Sequence, residues 1–467
     1  MALSTLANPP FSGAPLAAGI PPGFSIETWL FGLLGIPITS LTELIYSVVI
    51  IATAFVGVVM SSAILGIWGE RKVSAHMQSR IGPNRVGKFG LLQSFADGIK
   101  LLTKEDLTPR DADRPMFLLA PYIAFAPVFA AFLALPFGPE MTFEPRLAVG
   151  VFYILAILAI EVMGVILAGW ASNNKWAIYG AMREACQIVS YEIPLGLSII
   201  TVVLCAGTLN LVHLGHLQSG GLHTWLIFRN PFTLAAFLVY FVASLASNKR
   251  APFDLPESES ELVAGYHTEY SGFRFGVFFF AEYAAMFVVA GIQTSLFLGG
   301  WNDPFGLLGW LHEKYLVAPG GPNAWGLIAV NLLGVGMFLG KCTLLICVQM
   351  WVRWTLPRPR IDQVLYACVK VLLPLACVLL IGAALWTLFI PERAGIPWRD
   401  YRPFIAGDWE GSYGTLITQS LLALLGLAFT GATLGWITYA ALTAKRVRKR
   451  LSEAAPIIIG PGEAAPA

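Results

Sequence analysis

The chain is 467 residues long, 56% hydrophobic and only 12% charged, with a formal net charge of +2. A soluble domain sits nearer half apolar and a quarter charged; with so few charges this chain cannot cover itself against water, and lipid must do part of the work. That excludes an ordinary soluble protein, while the net charge says little, because in a membrane protein the position of Lys and Arg is what matters.

Residues 1–40 are rich in Pro, Gly and small side chains, and the first basic residue is Arg71. The basic start of a cleaved secretory leader is missing, so the segment reads as an N-terminal extension, unstructured or lying on a surface. Nine stretches follow that are long and apolar enough to cross a hydrocarbon core of about 30 Å as helices. They run over 41–67, 116–137, 147–171, 186–206, 232–248, 273–300, 323–352, 365–390 and 415–441. Backbone polar groups find no water there, so the spans must be helical. The fold class is therefore all-α, a polytopic bundle of about nine transmembrane helices.

Basic residues divide unevenly between the two sets of connections. One set, from Arg71 through Arg353, Arg358 and Arg360 to the tail Lys445–Arg450, carries twenty-two; the other, from Arg146 to Arg402, carries six. The positive-inside rule puts the rich side in the cytoplasm and the N-terminus outside. An odd number of spans then returns the basic C-terminal tail to the cytoplasm.

Within the first cytoplasmic connection, Leu92, Phe95, Ile99 and Leu102 fall on one helical stripe, with Gln93, Asp97, Lys100 and Lys104 away from it. This is a helix for the membrane surface, or else a solvated helix packed on a partner. A second connection, Arg250 to Tyr270, packs Asp254, Glu257, Glu259, Glu261 and Glu269 between two spans. Close carboxylates raise one another's pKa, which suits holding and passing protons; the plain alternative is a solvated acidic loop. Glu43, Glu161, Glu192, Glu282, Lys341 and Lys370 lie inside spans, where an ionisable group is costly and a functional candidate. Lys370, near a span end, could simply snorkel.

The six cysteines lie in apolar stretches with no CxxC pair, and read as small buried side chains rather than disulfide or cluster ligands. His213, His216 and His223 share one connection without carboxylates or thiols at ligand spacing, and read as loop residues. No metal, flavin or iron–sulfur site of the chain's own is visible, nor a Gly-rich phosphate loop, and nothing points to nucleic acid.

Two long motifs make the sequence recognisable. Glu70-Arg-Lys-Val-Ser-Ala-His-Met-Gln-Ser-Arg-Ile-Gly-Pro-Asn-Arg-Val-Gly87, continued by Leu92-Gln-Ser-Phe-Ala-Asp97-Gly-Ile-Lys100 and Lys104-Glu105-Asp106, resembles the signature after the first span of the H subunit of bacterial respiratory complex I. So do Ala168 to Lys175, Arg183 with Gln187, Ser190, Tyr191 and Glu192, and the loop from Arg250-Ala-Pro-Phe-Asp-Leu-Pro-Glu257 to Glu269-Tyr270, with Ala281-Glu282-Tyr283 beyond. The likeness spans residues 41–390. It implies a membrane domain that helps to form a quinone chamber, quinone (ubiquinone or menaquinone) being the substrate. It also implies a proton path coupled to quinone reduction, and hydrophilic partner subunits of a peripheral arm that hold flavin and clusters. Other membrane-arm subunits and the lipid bilayer would complete its surroundings, in a bacterial inner membrane.

Carried over residue by residue, the resemblance places Arg71, Asp97, Lys100 and Arg274 at the quinone chamber or its mouth. Arg183, Tyr191, Glu192, Asp254, Glu257, Glu259, Glu261, Glu269 and Glu282 fall in the proton path, and Arg250, Pro252 and Phe253 anchor the loop. Redox chemistry would belong to partner subunits. Two departures stand out. Where the family usually reads Ala-Glu-x-Asn-Arg before Pro-Phe-Asp, this chain has Ala246-Ser247-Asn248-Lys249-Arg250. An expected carboxylate is thus Ser247, while Glu161 stands where small apolar residues are usual and is expected to take over part of its role. The stretch 391–467 adds a ninth span, with Gly431 and Gly435 on one face for close helix approach or plain lipid contact, and a basic tail. The matching subunit of a membrane-bound hydrogenase, or of a ferredoxin- or F420-linked complex, is the rival within the superfamily. A stand-alone ion antiporter would call for an internal repeat, and the sequence has none.

Overall fold

The computed structural model describes residue 57 and residues 63–139, 141–142, 147–316 and 324–389. All regular structure among the described residues is helical. The elements are α1 (described part 63–77), α2 (Gln93–Thr103), α3 (Arg114–Phe132), α4 (Gly150–Ala171), α5 (Lys175–Ala206) and α6 (Leu211–Leu217). There follow α7 (Pro231–Ser247), α8 (Gly272–Phe297), α9 (Leu307–Leu316), α10 (Ala324–Thr355) and α11 (Ile361–Ala367), which runs through a π-helical turn, Cys368–Leu372, into α12 (Leu373–Phe389).

Among the described residues six helices are long and apolar enough to cross a membrane: α3, α4, α5, α8, α10 and the continuous α11–α12. The apolar α7 has 17 residues, about 25 Å at 1.5 Å per residue. Most of the first expected span, Glu43 within it, the ninth span with Gly431 and Gly435, and the segments 1–40 and 391–467 lie outside the described residues.

Where boundaries differ from those read off hydropathy, the cause is visible at the helix ends. α5 begins at Lys175 rather than near residue 186, because Asn174 caps it: its side-chain oxygen accepts from the Trp176 N–H at 2.9 Å. It ends where Gly207 takes φ 70° and its N–H bonds the Val203 carbonyl. Its 32 residues span about 48 Å, more than a hydrocarbon core of about 30 Å needs. Hydropathy registers only the part inside lipid, which is why Glu184 falls outside the expected span.

α8 is the central element: 78% of its apolar stretch is buried, against 22–44% for the other five spans. α3 and α4 pack closely through Gly164, where an added Cβ would collide with the Ala124 backbone. Phe117 on α3 stacks on Tyr270 at 4.1 Å, and the Tyr270 hydroxyl donates to the Phe117 carbonyl at 3.1 Å. These contacts tie the end of the 250–271 loop to the bundle. Gly265 (φ 66°) lies so close to the Pro256 carbonyl that any side chain would clash, so the loop folds back on itself.

Two expectations need correction. Only Cys342 and Cys368 are buried; Cys186, Cys347 and Cys377 are exposed on the chain's outer surface and Cys205 is intermediate, because the apolar stretches that hold them face outward as well as inward. All six are free thiols. His213 and His216 sit on α6, not in a loop, since Asn210 caps that short helix by accepting from Val212 and His213 N–H groups. His216 packs edge-on against Trp301. His223 lies in a 3-10 turn.

Candidate functional site

The basic connections converge on one end of the bundle, where they meet the carboxylates. On the surface, Arg71 of α1 pairs with Asp97 of α2, which also accepts from Gln93 at 3.2 Å and lies 3.8 Å from Lys100. Burial alone would raise the Asp97 carboxyl, but the Arg71 hydrogen bond and charge, helped by Gln93 and Lys100, outweigh it and hold Asp97 below the usual carboxylate range. The far end of α2 is latched as well: Arg274 pairs with Asp106 at 2.9 Å, and the Leu107 N–H donates to Ser271 Oγ at 2.9 Å. Leu101 packs toward Gly276 of α8, so the stripe of Leu92, Phe95, Ile99 and Leu102 faces outward, with each member more than half exposed.

Glu70, next to Arg71 on α1, points inward and is 6% exposed. It is held between Arg250, at 2.9 Å, and Arg353 of α10. Arg250 also reaches Glu282 of α8 at 2.9 Å and lies over the Tyr283 ring at 4.2 Å. Four elements far apart in sequence thus share one ion cluster. Buried charges survive only in such mutual pairing.

On the other side of the same backbone, Lys249 reaches Glu161 of α4 at 3.2 Å and Glu184 of α5 at 3.5 Å. Between the two groups lies Glu257, which accepts from the Tyr266 hydroxyl at 2.9 Å and stands 3.8 Å from His267. Its charge is felt by Glu184, Lys249, Arg250, Asp254 and Glu282 alike. Asp254 pairs with Arg358 at 3.0 Å, and Arg358 also donates to Ser258 at 2.7 Å. Burial is the largest influence on the Asp254 carboxyl; with Glu257 adding to it and Arg358 and Arg250 opposing, it is pushed up to about 7.

The loop is therefore not a solvated acidic run. Glu261 pairs with Arg183 at 2.5 Å, and Glu269 accepts from the Asn174 side chain at 2.5 Å. Gln187 donates to the Ala246 and Phe253 carbonyls at 2.7 and 2.8 Å, clamping the turn that holds Pro252. Tyr191 packs against Phe253 with ring centroids 5.4 Å apart and donates to the Val364 carbonyl at 3.0 Å, so it fastens α5 to α11. Glu192 is exposed on the outside of α5. Glu259 lies in the single turn Glu259–Leu262; its side chain falls outside the described residues.

Sequence reasoning finds Arg71, Asp97, Lys100, Arg250, Glu257, Glu261 and Glu282, and the structure brings these to one end of the molecule. It misses Glu70, Glu184, Arg353 and Arg358 as site residues. Glu70 stands in the first long motif, and counting charges across the membrane gives the two arginines a topological role only. Lys341 serves the fold: its ammonium donates to the carbonyls of Leu298, Gly300 and Asn302 at 2.5–2.9 Å, capping the end of α8, and lies over Trp225.

The class of protein is thus a polytopic membrane bundle with a buried, ion-paired seam opening at a basic end. The family model for NADH dehydrogenase matches residues 49–384. The H subunit of the NADH-quinone oxidoreductase of Chlorobium luteolum is 46% identical over 376 residues, covering 79% of this chain and 96% of the relative. Those of Chlorobaculum tepidum and Geobacillus thermodenitrificans are also 46% identical, over 366 and 334 residues, covering 78% and 71% of this chain and 98% and 92% of the relatives. The chain belongs to the family of NADH-quinone oxidoreductase H subunits.

Proposed function

We propose that this chain is the membrane subunit of a proton-translocating NADH-quinone oxidoreductase in which α1, α2 and α8 flank a quinone chamber and the buried seam carries protons. The observation that supports this most is a series of ion groups at one end of the molecule: the surface pair Arg71–Asp97, the buried cluster of Glu70, Arg353, Arg250 and Glu282, and Lys249 with Glu161 and Glu184, the Glu257 charge acting on both buried groups. Such a series is expensive in a membrane and is kept where charge must move.

Arg71, Asp97, Lys100 and Arg274 hold α2 in place, with its apolar stripe turned to the bilayer from which an isoprenoid quinone enters. Asp254, with its carboxyl at about 7, exchanges a proton at working pH; Arg250, Pro252 and Phe253 keep the loop against the seam. The loop that carries Glu259, Glu261 and Glu269 meets the hydrophilic subunits that carry flavin and clusters. Glu192, a carboxylate on an outer helix face, costs about 2.5 kcal/mol or more against lipid, and is covered by another membrane-arm subunit. The whole lies in a bacterial inner membrane with the seam at the cytoplasmic face. The relatives' names favour quinone reduction over the hydrogenase-like or F420-linked rival.

The test is to isolate the complex gently and assay NADH–quinone activity and proton pumping, then to repeat both with Glu161→Gln. Quinone-dependent NADH oxidation is expected for the native complex, and a lowered pumping ratio for the variant. Unaltered coupling in Glu161→Gln would sink the expectation that Glu161 takes over for the carboxylate absent at Ser247.

A further inference from the structure

Lys249 is a residue the local backbone argues against. It follows Asn248, the C-cap of α7, at φ 55°. Gly and Asn take that left-handed conformation readily, whereas in a lysine the Cβ crowds the backbone and strains it. What lysine brings is its ammonium, aimed between Glu161 and Glu184. The three side chains are 4%, 12% and 0% exposed for Lys249, Glu161 and Glu184.

Two carboxylates and one ammonium in a dry site leave one net negative charge, which burial strongly disfavours. One added proton makes the group neutral. The surrounding charges increase that demand. Glu282 is balanced by Arg250, and Glu257 adds a further negative charge, held by Tyr266 and His267. The Tyr266 ring lies 5.9 Å from the ammonium. The two acids are not equivalent. Glu161 accepts a hydrogen bond from Lys249, while neither Glu184 oxygen has a hydrogen-bond partner among the described residues.

Resting on the proton-path reading above, we propose that Glu161, Lys249 and Glu184 form a single-proton site in which Glu184 carries the proton and Lys249 pairs with Glu161, the ammonium moving between the two acids as the proton is handed on. When the ammonium turns to Glu184, that O–H bond breaks and its proton leaves; Glu161, losing its counter-charge, forms an O–H bond with an incoming proton. One proton enters and one leaves, Lys249 stays protonated, and the total charge is unchanged.

The experiment uses the intact complex in proteoliposomes and reads protons pumped per NADH oxidised. Glu184→Gln removes the proton-bearing group but leaves the Lys249–Glu161 pair. Its ratio is expected to fall at least fivefold. Lys249→Met is expected to do the same, and Lys249→Arg, which keeps the charge, to restore pumping; a purely packing role would not separate Met from Arg. A Glu184→Gln complex that assembles and pumps at the native ratio overturns the proposal, whether or not the Lys249 variants assemble. A native complex that reduces quinone without pumping would instead overturn the reading on which the proposal rests.

Discussion

Arg250 is a residue whose loss the fold tolerates poorly. Its guanidinium serves Glu70 and Glu282 at once, so Arg250→Ala leaves two buried carboxylates short of a partner. Removing one member of a buried ion group costs about 3–5 kcal/mol. Assembly of the variant into its complex, followed by thermal unfolding, should show a clear loss; a native-like melting temperature would contradict the pairing. Asp254 gives a pH-dependent prediction. Its folded-state value of about 7 lies above the ordinary 3.8, so the folded state binds the extra proton between those values. Its contribution to stability is fully present below the ordinary 3.8 and is lost as pH rises through about 7, where the folded protein gives up the proton. Asp254→Asn is therefore expected to remove an activity limb centred near pH 7, and a pH–rate profile unchanged by the substitution would show that Asp254 is not the group titrating. Which of these residues can be read in advance follows from their surroundings. Arg250, Glu257 and Glu282 are legible because they sit in ordered motifs. The partners Glu70, Arg353 and Arg358 are not, because ion pairing between residues 104 to 283 positions apart leaves no periodic trace in one sequence.

At the scale of elements, the helices are legible and their ends are not. Long apolar runs can only be helices in lipid, so α3, α4, α8 and α10 fall where hydropathy places them; α5 extends eleven residues beyond its expected start (186 against Lys175) because its cap, Asn174, lies outside the apolar zone. The stripe on α2 is legible from spacing alone, but its two latches, Arg71–Asp97 and Asp106–Arg274, are not. If the stripe meets lipid, Phe95→Ser with Ile99→Ser should raise the KM for a long-chain quinone several-fold while sparing a short-chain one. Equal effects on both would mean that the stripe packs on protein. Lys341 is a functional candidate by its position in a span, yet it caps α8 with three carbonyl bonds. Hydrogen bonds to a charged group are worth about 1.5–3 kcal/mol each, so Lys341→Met is expected to lower stability by about 3 kcal/mol or more, read as a lower melting temperature of the detergent-solubilised complex. A pumping defect without loss of stability would return Lys341 to the proton path.

Over the whole molecule, the charged end and the apolar body divide the work. The body buries α8 at its centre and turns apolar side chains outward to lipid. The charged end gathers Arg183 of α5, Lys249 and Arg250 after α7, Arg353 of α10 and Arg358 before α11 around carboxylates from α1, α4, α5, the loop and α8. A chain that only had to span a membrane would not bury Glu70, Glu161, Glu184 and Glu282 together. Nor would it leave Glu192 uncovered on an outer face, which argues for neighbours in the membrane as well as at its surface. The most direct measurement is therefore made on the complex isolated from its native membrane and rebuilt into vesicles, following NADH-driven quinone reduction and proton movement together. The account predicts co-purified flavin- and cluster-bearing subunits, inhibitor-sensitive quinone reduction and protons moved with it. A chain that purifies alone and exchanges ions by itself would contradict it.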